Sequence, residues 1–313
     1  MKRVNLGNTS MEVSALCLGA MYFGTRNDKT TSYRMLDQYV DAGGSFIDTA
    51  NIYASWVSGY AGGESETLLG EWMKERGNRS DLFIASKVGF SYGDVPKRLT
   101  ARLIEEECNK SLKRLGLDTI DLYYAHVDDY DTPLKENLEA FDRLVKAGKV
   151  RFIGASNYLA WRLERAKCVS KMNDWTQFCC IQQRYTYLRP KPGTTFAPQV
   201  AVNDDLLDYC RHNDMTLLAY SVLLGGAYTR RDRGFPAQLA GADSDARLVT
   251  LKAVAEETGA TVNQVILAWM LQGDPPVIPL IAASTEEQMR ENIGALDVQL
   301  SADQMRRLTD ARG

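Results

Sequence analysis

Four side chains that could together move a proton lie at or near the ends of short apolar runs. Asp48 ends one run and Tyr53 follows it five residues later, whereas Lys87 and His126 end the next two runs. A carboxylate, a phenol, an ammonium and an imidazole are groups that acid–base catalysis uses. The chain has only 2 histidines, and His126 is one of them.

Each of these four residues also has an ordinary interpretation. A lysine at a strand end is usually a solvated charge, an aspartate there usually caps a turn, and tyrosine and histidine usually pack in a core. Four titratable types at successive strand ends would be costly to bury together unless they pair. The combination therefore favours a site over four unrelated positions.

The chemistry that these groups could perform is the protonation of a carbonyl oxygen. We expect the Lys87 ammonium to lower the pKa of Tyr53, and Asp48 to hold Lys87 protonated. His126 can donate a hydrogen bond to the carbonyl oxygen and orient it. No side chain supplies a hydride, so a nicotinamide cofactor is implied.

The elements that would position these residues are short apolar runs that alternate with stretches of helical spacing. The eight predicted strands are Ala15–Met21, Phe46–Thr49, Leu82–Lys87, Ile120–His126, Phe152–Ser156, Phe178–Gln182, Thr216–Ser221 and Val277–Leu280. Helical spacing occurs in 32–42, 64–75, 102–115, 134–146, 203–211, 262–271 and 284–295, and Ser301–Gln304 has the spacing of a capping box that opens a last helix.

This order predicts one α/β domain, a (β/α)8 TIM barrel that spans residues 1–313. Runs that are apolar on both faces and are followed by helices indicate parallel strands covered by helices. The longest connections all follow strands, which places them on the carboxyl-terminal rim, where barrel enzymes build their sites. Val4–Val13, with Gly7 and Asn8 in its middle, predicts a β-hairpin that caps the barrel bottom.

Composition excludes several classes of protein. The chain has 313 residues, with 37 Lys+Arg against 40 Asp+Glu and a net charge of −3, so we expect no nucleic-acid partner. No apolar run is long enough to span a membrane, and the polar residues after Met1–Arg3 do not resemble a secretory signal. The 6 cysteines form no C-x-x-C pair, which favours reduced thiols, no metal site and a cytoplasmic location.

With these residues in place, the sequence resembles the aldo-keto reductase superfamily over nearly its whole length. Phe46–Tyr53 looks like the family's Asp/Tyr segment, and Gly63–Glu66 looks like the segment after it. Lys87 and His126 occupy the remaining two catalytic positions. The resemblance implies that Tyr53 is the general acid, that Asp48 and Lys87 tune it, and that His126 orients the substrate carbonyl.

The resemblance also implies a set of cofactor positions. Ser156, Asn157 and Gln182 would hold the nicotinamide carboxamide, and Tyr220 would stack on the nicotinamide ring. The remaining positions are Ala20 and Met21 beneath the cofactor, Asp48 beside it, Ser221, Val222 and Leu223 at the pyrophosphate, Ser284 and Gln288 at the adenosine phosphate, and Glu291 and Asn292 at the adenine. Val222 stands where the family usually has proline.

The identity of the dinucleotide stays open between two forms. The resemblance favours NADP(H), whereas the absence of Arg and Lys between Val277 and Met289 leaves NAD(H) as the alternative, because a 2′-phosphate is usually met by a cation. That cation could come from the long connection after the seventh predicted strand, which contains Arg230, Arg231 and Arg233.

The substrate and two rival functions are also left open. Trp56 would contact a small-molecule carbonyl, and aromatic rings beside Asp128, Asp129 and Tyr130 suit a sugar-like one. One rival is a dinucleotide-binding regulatory protein that resembles the β subunits of potassium channels. The other is a glycoside hydrolase that uses two carboxylates such as Glu64 and Asp128, which would leave the dinucleotide positions unexplained. The oligomeric state is not readable from the sequence.

Overall fold

The computed structural model describes residues 1–313. Its strands are β1 (Arg3–Asn5), β2 (Glu12–Ser14), β3 (Cys17–Gly19), β4 (Phe46–Asp48), β5 (Phe83–Val88), β6 (Ile120–Ala125), β7 (Val150–Ser156), β8 (Cys180–Arg184), β9 (Thr216–Tyr220) and β10 (Val277–Ile281). Its helices are α1 (Lys29–Asp41), α2 (Glu64–Arg76), α3 (Ala101–Leu115), α4 (Leu134–Lys146), α5 (Ala160–Met172), α6 (Asp204–His212), α7 (Ala242–Thr258), α8 (Val262–Leu271), α9 (Glu286–Gly294) and α10 (Ala302–Asp310).

Strands β3 to β10 form a closed barrel. Each strand pairs in parallel with its neighbours, and β10 closes the barrel on β3 through the pair Leu280 and Cys17. Every residue of β4, β5 and β6 is buried, because helices cover the outside and side chains fill the inside. The predicted (β/α)8 fold is confirmed.

Strong sequence signals predict most of the helices to within a few residues. Helices α4 and α8 have the predicted bounds, and α8 begins with a capping box between Thr261 and Gln264. The predicted capping box of Ser301 and Gln304 also opens α10. The sequence pattern does not single out α5 and α7, because their apolar residues are not confined to one face.

The amino-terminal hairpin covers one end of the barrel, as predicted. Strands β1 and β2 pair antiparallel from Arg3 to Ser14, and Leu6 is buried in an apolar cluster with Phe46 at the start of β4. Gly7 forms the turn with φ of 54°, and a Cβ there would lie 2.1 Å from the Cys179 carbonyl oxygen. Only glycine allows the hairpin to approach the start of β8 this closely.

The opposite end of the barrel carries the long connections. Residues 49–63 follow β4, residues 89–100 follow β5, and residues 185–203 follow β8. The carboxyl ends of β4 to β9 therefore bring residues distant in sequence to a single rim.

None of the ten helices combines the length and the apolar character that a membrane span requires.

Candidate active site

Lys87 lies at the centre of the four acid–base residues. Its ammonium donates to the Asp48 carboxylate, to the Thr49 carbonyl at 2.7 Å and to the Tyr53 hydroxyl at 2.9 Å. The side chains of Lys87 and Asp48 are fully buried. Three acceptors match the three N–H bonds of a charged ammonium, so the arrangement suits the ionised pair.

The Tyr53 hydroxyl is oriented by this ammonium. Its oxygen accepts from Lys87, and its hydroxyl donates to Asp48 Oδ1 in a long hydrogen bond of 3.4 Å. Burial, followed by the negative charge of Asp48, raises the pKa of Tyr53 well above 10. The expectation of a lowered pKa for Tyr53 is wrong, because burial and the negative charge of Asp48 both favour the protonated phenol. The phenol therefore keeps its proton at neutral pH.

His126 follows β6 and is held by its backbone on both sides. Its N–H donates to the Val88 carbonyl at 2.8 Å, and its carbonyl accepts from Asn157 Nδ2 at 2.9 Å. The imidazole meets the Tyr53 ring edge to face, with centroids 6.2 Å apart.

The protonation state of His126 follows from its surroundings. Burial, assisted by the positive charge of Lys87, lowers the pKa of His126 well below 6.5, so the ring is neutral at pH 7. Nδ1 is buried and has no hydrogen-bond partner. Since no acceptor is available to a proton on Nδ1, we assign the ring proton to Nε2, where a ligand in the cleft could accept it.

Gln182 ties the far side of the barrel to Asp48. Its Nε2 donates to Asp48 Oδ2 at 2.8 Å, while the backbone N–H of Ala20 donates to the Asp48 carbonyl at 2.9 Å. Both carboxylate oxygens of Asp48 are thus engaged, one with Lys87 and one with Gln182. Asp48 is held rigidly between β3, β5 and β8.

Asn157 forms a second link across the rim. It adopts φ of 59°, and its Nδ2 donates to the His126 carbonyl and to Ser156 Oγ. Its Oδ1 accepts from the Tyr220 hydroxyl at 2.7 Å and from the Val200 N–H at 3.1 Å. The amide of Asn157 is therefore occupied in joining His126, Tyr220 and the connection after β8.

Two polar groups beside these links remain available to a carboxamide. Ser156 donates its hydroxyl proton to no protein acceptor, and Gln182 Oε1 accepts from no protein donor. One donor and one acceptor suit the carbonyl and the NH2 of a carboxamide. The residues present therefore fit a nicotinamide, with Ser156 and Gln182 as the groups that would hold its carboxamide.

The predicted adenine-end residues shape the connection between β10 and α9. Gln288 Oε1 accepts from the Ser284 N–H at 2.8 Å, and Asn292 Nδ2 donates to the Ala282 carbonyl at 3.1 Å. Glu291 accepts from Asn263 Nδ2. Ser284 and Gln288 are exposed at the surface.

The remaining predicted cofactor residues line the ends of β3 and β9. Met21 is half-buried and follows the fully buried Ala20. Ser221 adopts φ of 59° directly after β9, Val222 is buried, and Leu223 is half-buried. They lie at the same rim as the acid–base residues, and the Ala20 N–H donates to the Asp48 carbonyl there.

The carboxylates expected to bind a sugar-like ligand are used inside the protein. Arg162 Nε donates to both oxygens of Asp128, at 3.1 and 2.9 Å. Asp129 accepts from the Leu99 N–H at 2.8 Å and from the Thr132 hydroxyl at 2.6 Å. Tyr130 is 62% exposed and packs beside Trp161. The two carboxylates lend no support to a sugar-like substrate, because their oxygens already accept hydrogen bonds within the protein.

Sequence reasoning missed two residues of the rim. Phe90 meets the His126 ring edge to face with centroids 4.7 Å apart, and Gln183 Oε1 accepts from the Asn157 N–H at 2.6 Å. Phe90 could have been found from its position three residues after Lys87, at the start of the connection that follows β5. Gln183 has no signal beyond its adjacency to Gln182.

The protein is a closed parallel barrel with an acid–base centre at one rim. A phenol, an ammonium, a carboxylate and an imidazole form that centre. The Aldo/keto reductase family model matches residues 15–312. The chain belongs to the aldo/keto reductase family.

Known proteins with similar chains are oxidoreductases by name. The chain is 32% identical to the uncharacterized oxidoreductase YrpG of Bacillus subtilis, over 99% of this chain and 95% of that protein. It is 28% identical to the NADP(+) aryl-alcohol dehydrogenase of Phanerodontia chrysosporium, over 96% of this chain and 83% of that protein. A thermostable aldo-keto reductase crystallised with the inhibitor epalrestat is similar with a TM-score of 0.77 and 30% identity, over 98% of both chains.

Proposed function

We propose that this protein reduces an aldehyde or ketone to the alcohol, with Tyr53 as the general acid and a reduced nicotinamide dinucleotide as cofactor. The observation that carries the proposal is the direction of one hydrogen bond. Lys87 Nζ donates to the Tyr53 oxygen at 2.9 Å, and the phenolic proton has only a long hydrogen bond of 3.4 Å to Asp48 Oδ1, which a substrate oxygen can replace.

The acid–base residues would stabilise the charge that develops during reduction. As the carbonyl oxygen gains negative charge, Tyr53 transfers its proton to that oxygen and forms the new O–H bond. The resulting phenolate lies beside the Lys87 ammonium, which stabilises it, and solvent later returns the proton. Asp48 keeps the ammonium in position.

His126 has a second role in this scheme. Its neutral imidazole donates from Nε2 to the carbonyl oxygen and aligns it with the Tyr53 hydroxyl. The backbone contacts with Val88 and Asn157 fix the height of the ring above the barrel. A bound reduced nicotinamide supplies the hydride that forms the new C–H bond, so one carbonyl, one hydride and one proton give one alcohol.

We further propose NADP(H) as the preferred dinucleotide, with NAD(H) as the alternative. The name of the aryl-alcohol dehydrogenase supports the first form. Arg231 and Arg233 are exposed and have no ion-pair partner, whereas Arg230 is paired with Asp232. Arg231 and Arg233 are therefore the cations of the long connection after β9 that are best able to meet a 2′-phosphate.

Steady-state oxidation of NADPH and NADH with a panel of aldoses, ketoses and aromatic aldehydes tests the proposal. We expect sustained turnover of at least one carbonyl class, and tighter binding of NADPH than of NADH that is lost when Arg231 and Arg233 are both replaced by alanine and kept in Arg230→Ala. Absence of turnover with every carbonyl would contradict the proposed function. A single burst of cofactor oxidation without turnover would instead favour the regulatory role.

A further inference from the structure

The Lys87 ammonium lies over an aromatic ring that has no part in the acid–base scheme described so far. Lys87 of β5 and Tyr124 of β6 are register partners, and Lys87 Nζ lies over the Tyr124 ring, 5.8 Å from its centroid. Both side chains are fully buried. A cation within about 6 Å of a ring centroid is attracted by the electrons of the ring face, and the attraction is stronger where water is excluded.

Strands β7 and β8 hold the Tyr124 ring in this position. A Cβ on Gly154 of β7 would lie 2.7 Å from Cε1 of the ring, so the ring packs directly against the backbone there. Cys180 Sγ of β8 donates to the Tyr124 hydroxyl at 3.7 Å. The ring is thus held between β5 on one side and β7 and β8 on the other.

Tyr124 lies where the polar centre meets the apolar interior of the barrel. It belongs to a buried apolar cluster that includes Phe46, Phe83, Leu122 and Leu218. An aliphatic side chain in its place would present the buried ammonium with no charge distribution that could stabilise it. An aromatic ring is the apolar group that can fill this space and also attract a cation.

The charge of Lys87 depends on a balance between burial and the groups that face it. Burial lowers the pKa of Lys87, whereas the negative charge of Asp48 raises it. The titratable groups around the ammonium are Asp48 of β4, Cys17 of β3, Glu66 of α2, Tyr53 after β4, Tyr124 of β6 and His126 after β6. Asp48 is shared with Gln182, and Glu66 is paired with Arg114. Neither carboxylate is therefore reserved for Lys87, and a further stabilising group matters.

We infer that Tyr124 is a positioning residue of the acid–base centre, whose ring stabilises the positive charge of Lys87 and so the state in which Lys87 donates to Tyr53. The hydroxyl of Tyr124 is not required, because its contact is with Cys180. The effect of Tyr124 on the reaction rate rests on the proposed function, whereas its effect on the charge of Lys87 does not.

NMR titration of protein that carries lysine isotopically labelled at Cε measures this charge without turnover. The Cε shift changes when the ammonium loses its proton, and the signal missing from Lys87→Met identifies Lys87. We expect Tyr124→Leu to lower the pKa of Lys87 by about 0.5–1 pH unit. Tyr124→Phe keeps the ring and should change this pKa by less than about 0.3 pH unit.

Tyr123→Leu is the matched control for lost packing. Tyr123 is also fully buried in β6, but its side chain lies on the outer face of the strand and packs against Phe141, with ring centroids 6.0 Å apart. The same substitution there removes the same side chain away from the ammonium. It should leave the pKa of Lys87 unchanged.

A pair of aromatic residues covers the case in which Tyr124→Leu does not fold. Phenylalanine and trifluorophenylalanine, each incorporated at position 124, have nearly the same shape, but fluorine withdraws electrons from the ring face. We expect the fluorinated ring to lower the pKa of Lys87 relative to phenylalanine, because it attracts a cation less. A purely structural role for the ring would give the same pKa for both.

Kinetics then separates this inference from the proposed function. If both hold, the fall of kcat/KM at high pH moves to lower pH in Tyr124→Leu by the same amount as the NMR titration. A shifted NMR titration without turnover of any carbonyl would support the inference and contradict the proposed function. An NMR titration of Lys87 that is the same in the wild type and Tyr124→Leu, or that shifts equally in Tyr123→Leu, would overturn the inference and leave the proposed function intact.

Discussion

At the scale of single residues, the partners of each group decide what it can do. The sequence does not distinguish Tyr53 from other buried tyrosines, but in the structure its oxygen accepts from Lys87 and its own proton has only a long hydrogen bond to Asp48. Asn157 would be a carboxamide ligand by resemblance, yet its amide is occupied by His126, Tyr220 and Val200. Both roles stay predictions from residue type, and the partners of each side chain could not be predicted, because hydrogen-bond partners are not written in the sequence.

The pH dependence of reduction follows from three shifted groups. The pKa of His126 lies well below 6.5 and that of Tyr53 well above 10, whereas burial lowers the pKa of Lys87 from its usual value against the opposing charge of Asp48. As pH falls, His126 gains a charge only in the acid range; as pH rises, Lys87 is the group that titrates first. We therefore expect kcat/KM for reduction to be flat from about pH 6 to pH 8 and to fall only at higher pH.

Steady-state kinetics across that range checks this prediction. His126→Gln keeps a side-chain donor without a titrating group, so it should be slower but equally flat. An inflection between about pH 6.5 and 8 in the wild type that disappears in His126→Gln would show that the imidazole titrates normally, contrary to its environment in the structure.

At the scale of elements, periodicity and turn chemistry predicted the barrel well. The strands were recognisable because they are apolar on both faces, and α4 and α8 because they combine clear boundaries with apolar segments. Helices α5 and α7 lacked such a signal. Their helical structure depends on the barrel that they cover, and tertiary packing of this kind is not contained in local sequence.

The hairpin turn offers a test of packing at this scale. Gly7→Ala should destabilise the fold by about 2–4 kcal/mol, since the new methyl group would meet a backbone carbonyl as well as an unfavourable φ. Gly77→Ala is the matched control, because Gly77 has φ of 63° but nothing within 4 Å of a Cβ, and should cost about 1 kcal/mol.

Urea unfolding monitored by tryptophan fluorescence compares the two variants. The midpoint of Gly7→Ala should lie clearly below that of Gly77→Ala. Equal midpoints would mean that the hairpin moves away from β8 at little cost, and that it does not seal the barrel end as tightly as the structure indicates.

At the scale of the whole molecule, barrel closure converts sequence order into a site. Asp48 and Gln182 are 134 residues apart in sequence, yet closure of the barrel places Gln182 Nε2 at 2.8 Å from Asp48 Oδ2 across the rim. The order of strand ends predicted which residues would meet, because parallel strands all end on the same rim. It could not predict that Phe90 packs against the His126 ring or that Asn51 donates to the buried Glu107, since side-chain direction and loop packing are set by the assembled barrel.

The central claim is that the Tyr53 proton goes to the substrate oxygen, and Tyr53→Phe tests it most directly. Phenylalanine keeps the ring and the contact with Trp56 while it removes the only atom that the claim requires. We expect kcat for carbonyl reduction to fall by at least about 100-fold, with the Kd for the reduced dinucleotide within about twofold of the wild-type value. A kcat near the wild-type value, with turnover otherwise intact, would show that another group supplies the proton.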